Sequence, residues 1–118
     1  VPAIEDCFNK PAALVTIKSI PATSEHNRKY IDFGPDGKLY MPIGSPCNAC
    51  EPTDETHGTI MRMNADGSDM NAYARGVRNP VGLTWHPLSG EMWFTDPGRD
   101  GMEPGKPSCE LNNAPAAN

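Results

Sequence analysis

The chain has 118 residues, one domain's worth of material, and a formal net charge of −5 with a pI near 5.0. That acidity argues against a nucleic-acid partner, whose phosphates demand a basic face, and no apolar run approaches the roughly 20 residues that a membrane-crossing helix needs. Eleven glycines and thirteen prolines, spread without collagen periodicity, favour turns over long helices, so the expected fold is all-β and the expected partner a small molecule or another protein.

Residues 1–11 show no periodicity and read as a terminal arm that Cys7 could pin. Ala12 to Ile20, bracketed by Pro11 and Pro21, predicts a lone strand with no hairpin partner nearby. Tyr30 to Phe33, the turn Gly34-Pro35-Asp36-Gly37, and Lys38 to Ile43 predict a hairpin with Leu39, Met41 and Ile43 on one face, in which Pro42 limits how central the second strand can be. The polar loop from Gly44 to His57 is long enough to be functional or stapled, and Cys47 and Cys50 sit where a staple would go. A second hairpin runs from Gly58 to Val77 around Asn64-Ala65-Asp66-Gly67-Ser68. A third joins Val81–Trp85 to Glu91–Thr95. The Gly/Pro-rich acidic tail from Asp96 reads as loop. Its Asp96 and Asp100 could offer carboxylates to a cation, or be solvated loop residues. His57 and His86 read as loop and turn residues.

The four cysteines allow three disulfide pairings. Cys47-Asn48-Ala49-Cys50 is followed by Glu51 rather than the His of a haem-attachment motif, and no second CxxC completes a zinc site. Structural disulfides in an oxidising compartment are expected, with a zinc or redox role as the alternative. The chain begins at Val1, as a processed exported protein or a piece of a longer one would.

The first and third hairpins repeat. Ile31-Asp32-Phe33-Gly34-Pro35 aligns with Leu83-Thr84-Trp85-His86-Pro87 at an offset of 52, and Gly37-Lys38-Leu39-Tyr40 with Gly90-Glu91-Met92-Trp93 at 53. Hairpins at that period are the signature of β-propeller blades of four antiparallel strands. The chain holds about two blades, against the roughly four to eight that close a propeller. It divides into an arm and lone strand (1–25), a first blade (26–78), and the start of the next blade with its acidic loop (79–118). Three two-blade chains would complete a six-bladed ring, so a cyclic trimer is one expectation and the remainder of a longer chain the other.

Between the hairpins stands Gly76-Val77-Arg78-Asn79-Pro80-Val81-Gly82-Leu83, where Pro80 stiffens a corner that holds a guanidinium and an amide at a strand entrance. Together with His26-Asn27-Arg28, Ile31 to Tyr40, Arg62 to Ser68, and Thr95-Asp96-Pro97-Gly98-Arg99-Asp100 leading to Glu110-Leu111-Asn112, it resembles the soluble quinoprotein sugar dehydrogenases, the glucose and sorbosone dehydrogenases. The resemblance implies a six-bladed propeller carrying pyrroloquinoline quinone (PQQ) and calcium, and oxidation of a sugar or similar alcohol by hydride transfer to the quinone. It implies His26 as general base with Glu25 as its acidic neighbour, Arg78 and Asn79 as contacts to the quinone oxygens, and the carbonyls of Gly98 and Arg99 as calcium ligands. An imidazole can accept a hydroxyl proton while hydride departs. A fixed guanidinium and amide stabilise charge growing on the quinone. A periplasmic or secreted location is expected. Val81 departs from relatives with a polar residue there, and the family's remaining cofactor residues lie in later blades.

The alternative function is a non-catalytic propeller module that assembles or binds a partner or small ligand. A calcium-dependent hydrolase would need several carboxylates converging on one metal, and no such constellation is spaced along this chain.

Overall fold

The computed structural model describes residues 15–23 and 25–115, so the arm with Cys7, the start of the expected lone strand and Ser24 lie outside the described residues. Seven strands follow in order: β1 (Asp32–Phe33), β2 (Leu39–Ile43), β3 (Thr59–Met63), β4 (Asn71–Arg75), β5 (Leu83–Trp85), β6 (Met92–Asp96) and β7 (Glu110–Ala114). They form two antiparallel sheets, β1-β2-β3-β4 and β5-β6-β7, with no helix among the described residues. This is one four-stranded propeller blade followed by three strands of the next.

The two hairpins are copies in their pairing as well as their sequence. Phe33 pairs with Leu39 in the first, and Trp85 with Met92 in the second. In the first turn Gly34 N donates to Lys38 O, and Gly37 N to Gly34 O; His86 N to Glu91 O and Gly90 N to His86 O do the same in the second. The second turn is one residue longer, which accounts for the drift of the repeat from 52 to 53. Gly37 and Gly90 both close their turns at φ 73°, a conformation a side chain would penalise.

Both faces of β2 and β3 are covered. Met41, Ile43, Met61 and Met63 cluster on one face with Leu39, Met70, Ala72 and Ile20 against them. The other face meets the second sheet in a core of Tyr40, Ile60, Tyr73, Ala74, Val77, Leu83, Met92, Phe94 and Ala114. A register shift opposite Ile60/Met61 leaves Tyr73 as the extra residue of a bulge, so Tyr73 and the adjacent Ala74 both face this core. The Tyr40 ring makes edge contacts with Tyr73 and Trp85, each at 5.1 Å between centroids, and Tyr73 Oη donates to Ala114 O across the sheets. Pro42 fits because β1 pairs only with Leu39 and Tyr40, leaving β2 a single neighbour at the proline.

Two expectations are corrected. No strand forms over 15–20, because no strand among the described residues offers that segment a ladder; Ile20 instead packs on the methionine face. The tail, in turn, is not all loop: β7 pairs along the whole of β6, from Asp96↔Glu110 to Met92↔Ala114. Only Ala114 of β7 is buried, so the strand carries no apolar alternation to read.

Ile60 is fully buried and Leu88 is 91% exposed. Ile60→Ala should therefore lower stability by about 2–5 kcal/mol, and Leu88→Ala by less than about 0.5 kcal/mol, in urea titrations. Burial, reinforced by donation to Asp36, pushes the Tyr40 phenol up to about 12. A folded pKa above the ordinary value gives stability that is complete below about pH 10 and lost as pH rises toward about 12. Thermal melts across that window should fall more steeply for the native protein than for Tyr40→Phe.

Candidate functional site

The chain crosses from the first sheet to the second at Arg78-Asn79-Pro80, and the buried carboxylate of Asp96, at the end of β6, fixes that crossing. Arg78 N donates to Asp96 Oδ2 at 2.8 Å and Asn79 N to Oδ1 at 2.7 Å. Each oxygen takes one amide, a charge-assisted pairing stronger than neutral bonds. The Arg78 carbonyl accepts from Ser45 N at 2.7 Å, and the Ser45 carbonyl faces His26 Nδ1 at 2.7 Å. The second sheet is thus joined to His26 through three residues.

A carbonyl only accepts, so His26 Nδ1 must carry the proton, and the neutral ring keeps its lone pair on Nε2. His26 holds a left-handed φ of 53°, a region that histidine visits more readily than most residues. Gly44 makes room for the meeting. A Cβ on it would lie 2.8 Å from His26 Cβ, 3.2 Å from the Arg78 carbonyl oxygen and 3.4 Å from Asn79 Oδ1. His26, Asn27, Arg28, Asn79 and Val81 line an open cleft of about 440 Å³ beside this contact.

The Arg78 guanidinium turns toward other loops. Nε donates to Asn48 O at 3.4 Å, Nη1 to the carbonyls of Pro97 and Gly98 at 3.3 and 3.0 Å, and Nη2 to Asn48 Oδ1 at 2.6 Å. Exposed Asp100 adds an ion pair at 3.5 Å. The guanidinium thus makes four hydrogen bonds within the protein, besides the ion pair.

The structure brings His26 and the Arg78-Asn79 corner together, and Gly98 joins them through Arg78. Arg99 is exposed on the wall of a separate cavity of about 210 Å³ that Arg78 and Gly98 also line. Glu25 is exposed, and among the described residues no bond joins its carboxylate to His26; the Ser45 carbonyl orients the ring. Lys29 Nζ donates to His26 O at 3.4 Å, and its burial lowers its pKa. His57 lines a cavity of about 330 Å³ with Ser45, Asn48 and Arg78, and both its ring nitrogens are buried without a partner among the described residues.

Three contributors went unread in the sequence: Ser45, Asn48 and Asp96 as an amide clamp rather than a cation ligand. Ser45 and Asn48 lie in an aperiodic loop and act through backbone atoms and one amide. Asp96 did leave a signal, since it follows Met92 and Phe94 in the buried phase of β6, where a carboxylate needs a compensating partner. Cys47 and Cys50 form a disulfide, and exposed Cys109 pairs with no cysteine among the described residues.

Fold and site together define a propeller segment whose loops gather a histidine, an amide and a guanidinium at one edge. The chain matches the glucose/sorbosone dehydrogenase family over residues 8–113 and belongs to that family. It is 35% identical over 88 residues to an uncharacterised protein of Borreliella burgdorferi, covering 74% of this chain and 23% of that protein. A solved structure described as an oxidoreductase (glucose dehydrogenase) of Thermus thermophilus superposes with a TM-score of 0.59 at 30% identity, covering 80% of this chain and 32% of the other. The chain therefore spans about a quarter to a third of the relatives it matches.

Asp96→Ala leaves two amides without their charged acceptor and should cost roughly 3 kcal/mol. Asp96→Asn, which keeps one acceptor oxygen, should recover about half of that. Urea midpoints of the two variants against the native protein check the ordering.

Proposed function

We propose that the protein, completed to a closed propeller, is a PQQ-dependent dehydrogenase of a sugar or similar alcohol. The observation that carries this reading is the 2.7 Å contact of His26 Nδ1 with the Ser45 carbonyl, which leaves Nε2 as a proton acceptor on a ring that lines an open polar cleft. PQQ, when bound, supplies the hydride acceptor. His26 Nε2 takes the substrate's hydroxyl proton as the carbon-bound hydrogen departs. The Asn79 side-chain amide, without a hydrogen-bond partner among the described residues, is free to donate to a quinone oxygen. Arg78, with four hydrogen bonds already made within the protein, contributes chiefly positive charge. Glu25 acts at most as a nearby negative charge.

The residues here fit one edge of the quinone. Calcium is different: the Gly98 carbonyl already accepts from the Arg78 guanidinium, and no group of three or more His, Cys, Asp or Glu side chains able to hold a metal occurs among the described residues. A calcium ion near Gly98 and Arg99 would be held by backbone carbonyls of this loop, with further ligands from the rest of the closed propeller. The Cys47–Cys50 bond supports a periplasmic or secreted location.

The alternative, a non-catalytic module that assembles into a ring, draws on the outward face of the second sheet. There Leu111 is 67% exposed and Thr84 and Thr95 are open, so a further blade or a second copy could cover it. That reading predicts a defined oligomer, such as a trimer, by light scattering, and no PQQ binding.

With the completed protein loaded with PQQ and calcium, sugars should reduce a redox dye. His26→Ala should cut kcat by about 10²–10⁴-fold while lowering stability by only about 1 kcal/mol, the worth of the bond to Ser45. A loaded native protein inert toward every sugar and alcohol tested would contradict the dehydrogenase reading.

A further inference from the structure

Asn48 lies between Cys47 and Cys50, and its side-chain amide and its carbonyl are both engaged at the site. Its Oδ1 accepts from Arg78 Nη2 at 2.6 Å and from Asp100 N at 2.9 Å, its Nδ2 donates to Asp100 O at 3.0 Å, and its carbonyl accepts from Arg78 Nε at 3.4 Å. One amide side chain therefore grips the backbone of the second blade's loop from both sides and holds the guanidinium beside it. The grip needs the Asn48 carbonyl and side chain to face Arg78 together, which fixes the backbone of this residue as well as its rotamer. The Cys47–Cys50 bond closes a short ring around it, and Ser45 Oγ, donating to Cys47 O at 2.7 Å, ties that ring to the residue that orients His26.

We infer that Asn48 is the positioning residue for Arg78, and that the Cys47–Cys50 disulfide makes the placement of Arg78 responsive to thiol reductants. This rests on the dehydrogenase reading only for its catalytic meaning; the structural claim stands apart from it. Opening the ring is thiol–disulfide exchange: a dithiol delivers two electrons and two protons to the Cys47 and Cys50 sulfurs and departs as its own disulfide. A longer free loop then has to be ordered to rebuild the same bonds, which weakens them. The guanidinium, freed from Asn48, regains N–H groups for a ligand and keeps only the Pro97 and Gly98 carbonyls and exposed Asp100 as anchors, so a bound anionic group would meet a looser charge in place of an aimed one.

The test reads the Arg78 Nη2 proton that Asn48 Oδ1 accepts, assigned with Arg78→Lys, by ¹⁵N NMR in the absence of cofactor and sugar. In the oxidised native protein this proton should exchange slowly with water. Asn48→Ala, and separately the native protein reduced with dithiothreitol, should each speed exchange about tenfold, the loss of a hydrogen bond to a charged group. Asn48→Asp, which keeps the acceptor, should restore slow exchange. Unchanged exchange in Asn48→Ala would overturn the positioning role; unchanged exchange with both thiols shown free by alkylation would overturn the redox response. If Asn48→Ala loses the core methyl signals of Ile60, Asn48→Asp and the reduction of native protein decide the matter. Because no turnover is measured, failure here leaves the dehydrogenase reading intact, and an inert enzyme would leave this result intact.

Discussion

One carboxylate sets the geometry of everything at the rim. Asp96 sits in the buried phase of β6, where an unpaired charge would cost several kcal/mol, and it answers that cost by accepting the two successive amides of Arg78 and Asn79. The corner cannot then rotate about its own axis. Its carbonyl takes Ser45 N, the Ser45 carbonyl takes His26, and the tautomer of a histidine on the first blade is decided by a carboxylate on the second. Together these bonds hold His26 against the Arg78-Asn79 corner, which is far from it in sequence.

The chain of bonds is rigid only because the sheets are locked to each other. The core between them is apolar, and its aromatic centre, Tyr40 against Tyr73 and Trp85, draws on both blades. The bulge at Tyr73 matters here, because it turns two consecutive side chains into the interface and lets the tyrosine hydroxyl reach the last strand of the second sheet. Asp36 performs a similar service in the first hairpin, where it caps its own turn and takes bonds from Lys38 N and Tyr40 Oη. Blade packing thus serves the site by removing the freedom of its loops.

The hairpins were legible because turn residues and period-two alternation point to the same register, and because the sequence states the pattern twice. The blade architecture followed from the repeat, and the glucose/sorbosone dehydrogenase family from motifs whose order is specific. β7 was not legible: it is held by backbone pairing to β6 and buries one alanine, so nothing in Glu110-Leu111-Asn112-Asn113-Ala114 marks a strand. The segment 15–20 failed in the opposite way, with strand-like composition and no strand paired with it among the described residues. At the site, His26, Arg78 and Asn79 could be singled out because motifs carry them. Ser45 and Asn48 work through a carbonyl and a loop conformation, which composition does not encode. Asp96 was visible as a carboxylate and misread in role, since its place in the strand's buried phase outweighs the Gly/Pro-rich loop that follows it.

The central claim is that the link through Ser45 holds His26 as an Nε2 base. The ¹⁵N shifts of the His26 ring, measured at a pH where the ring is neutral, test it directly. The account predicts a protonated, pyrrole-like Nδ1 and an unprotonated, pyridine-like Nε2. A ring protonated at Nε2, or one that averages the two tautomers, would contradict it.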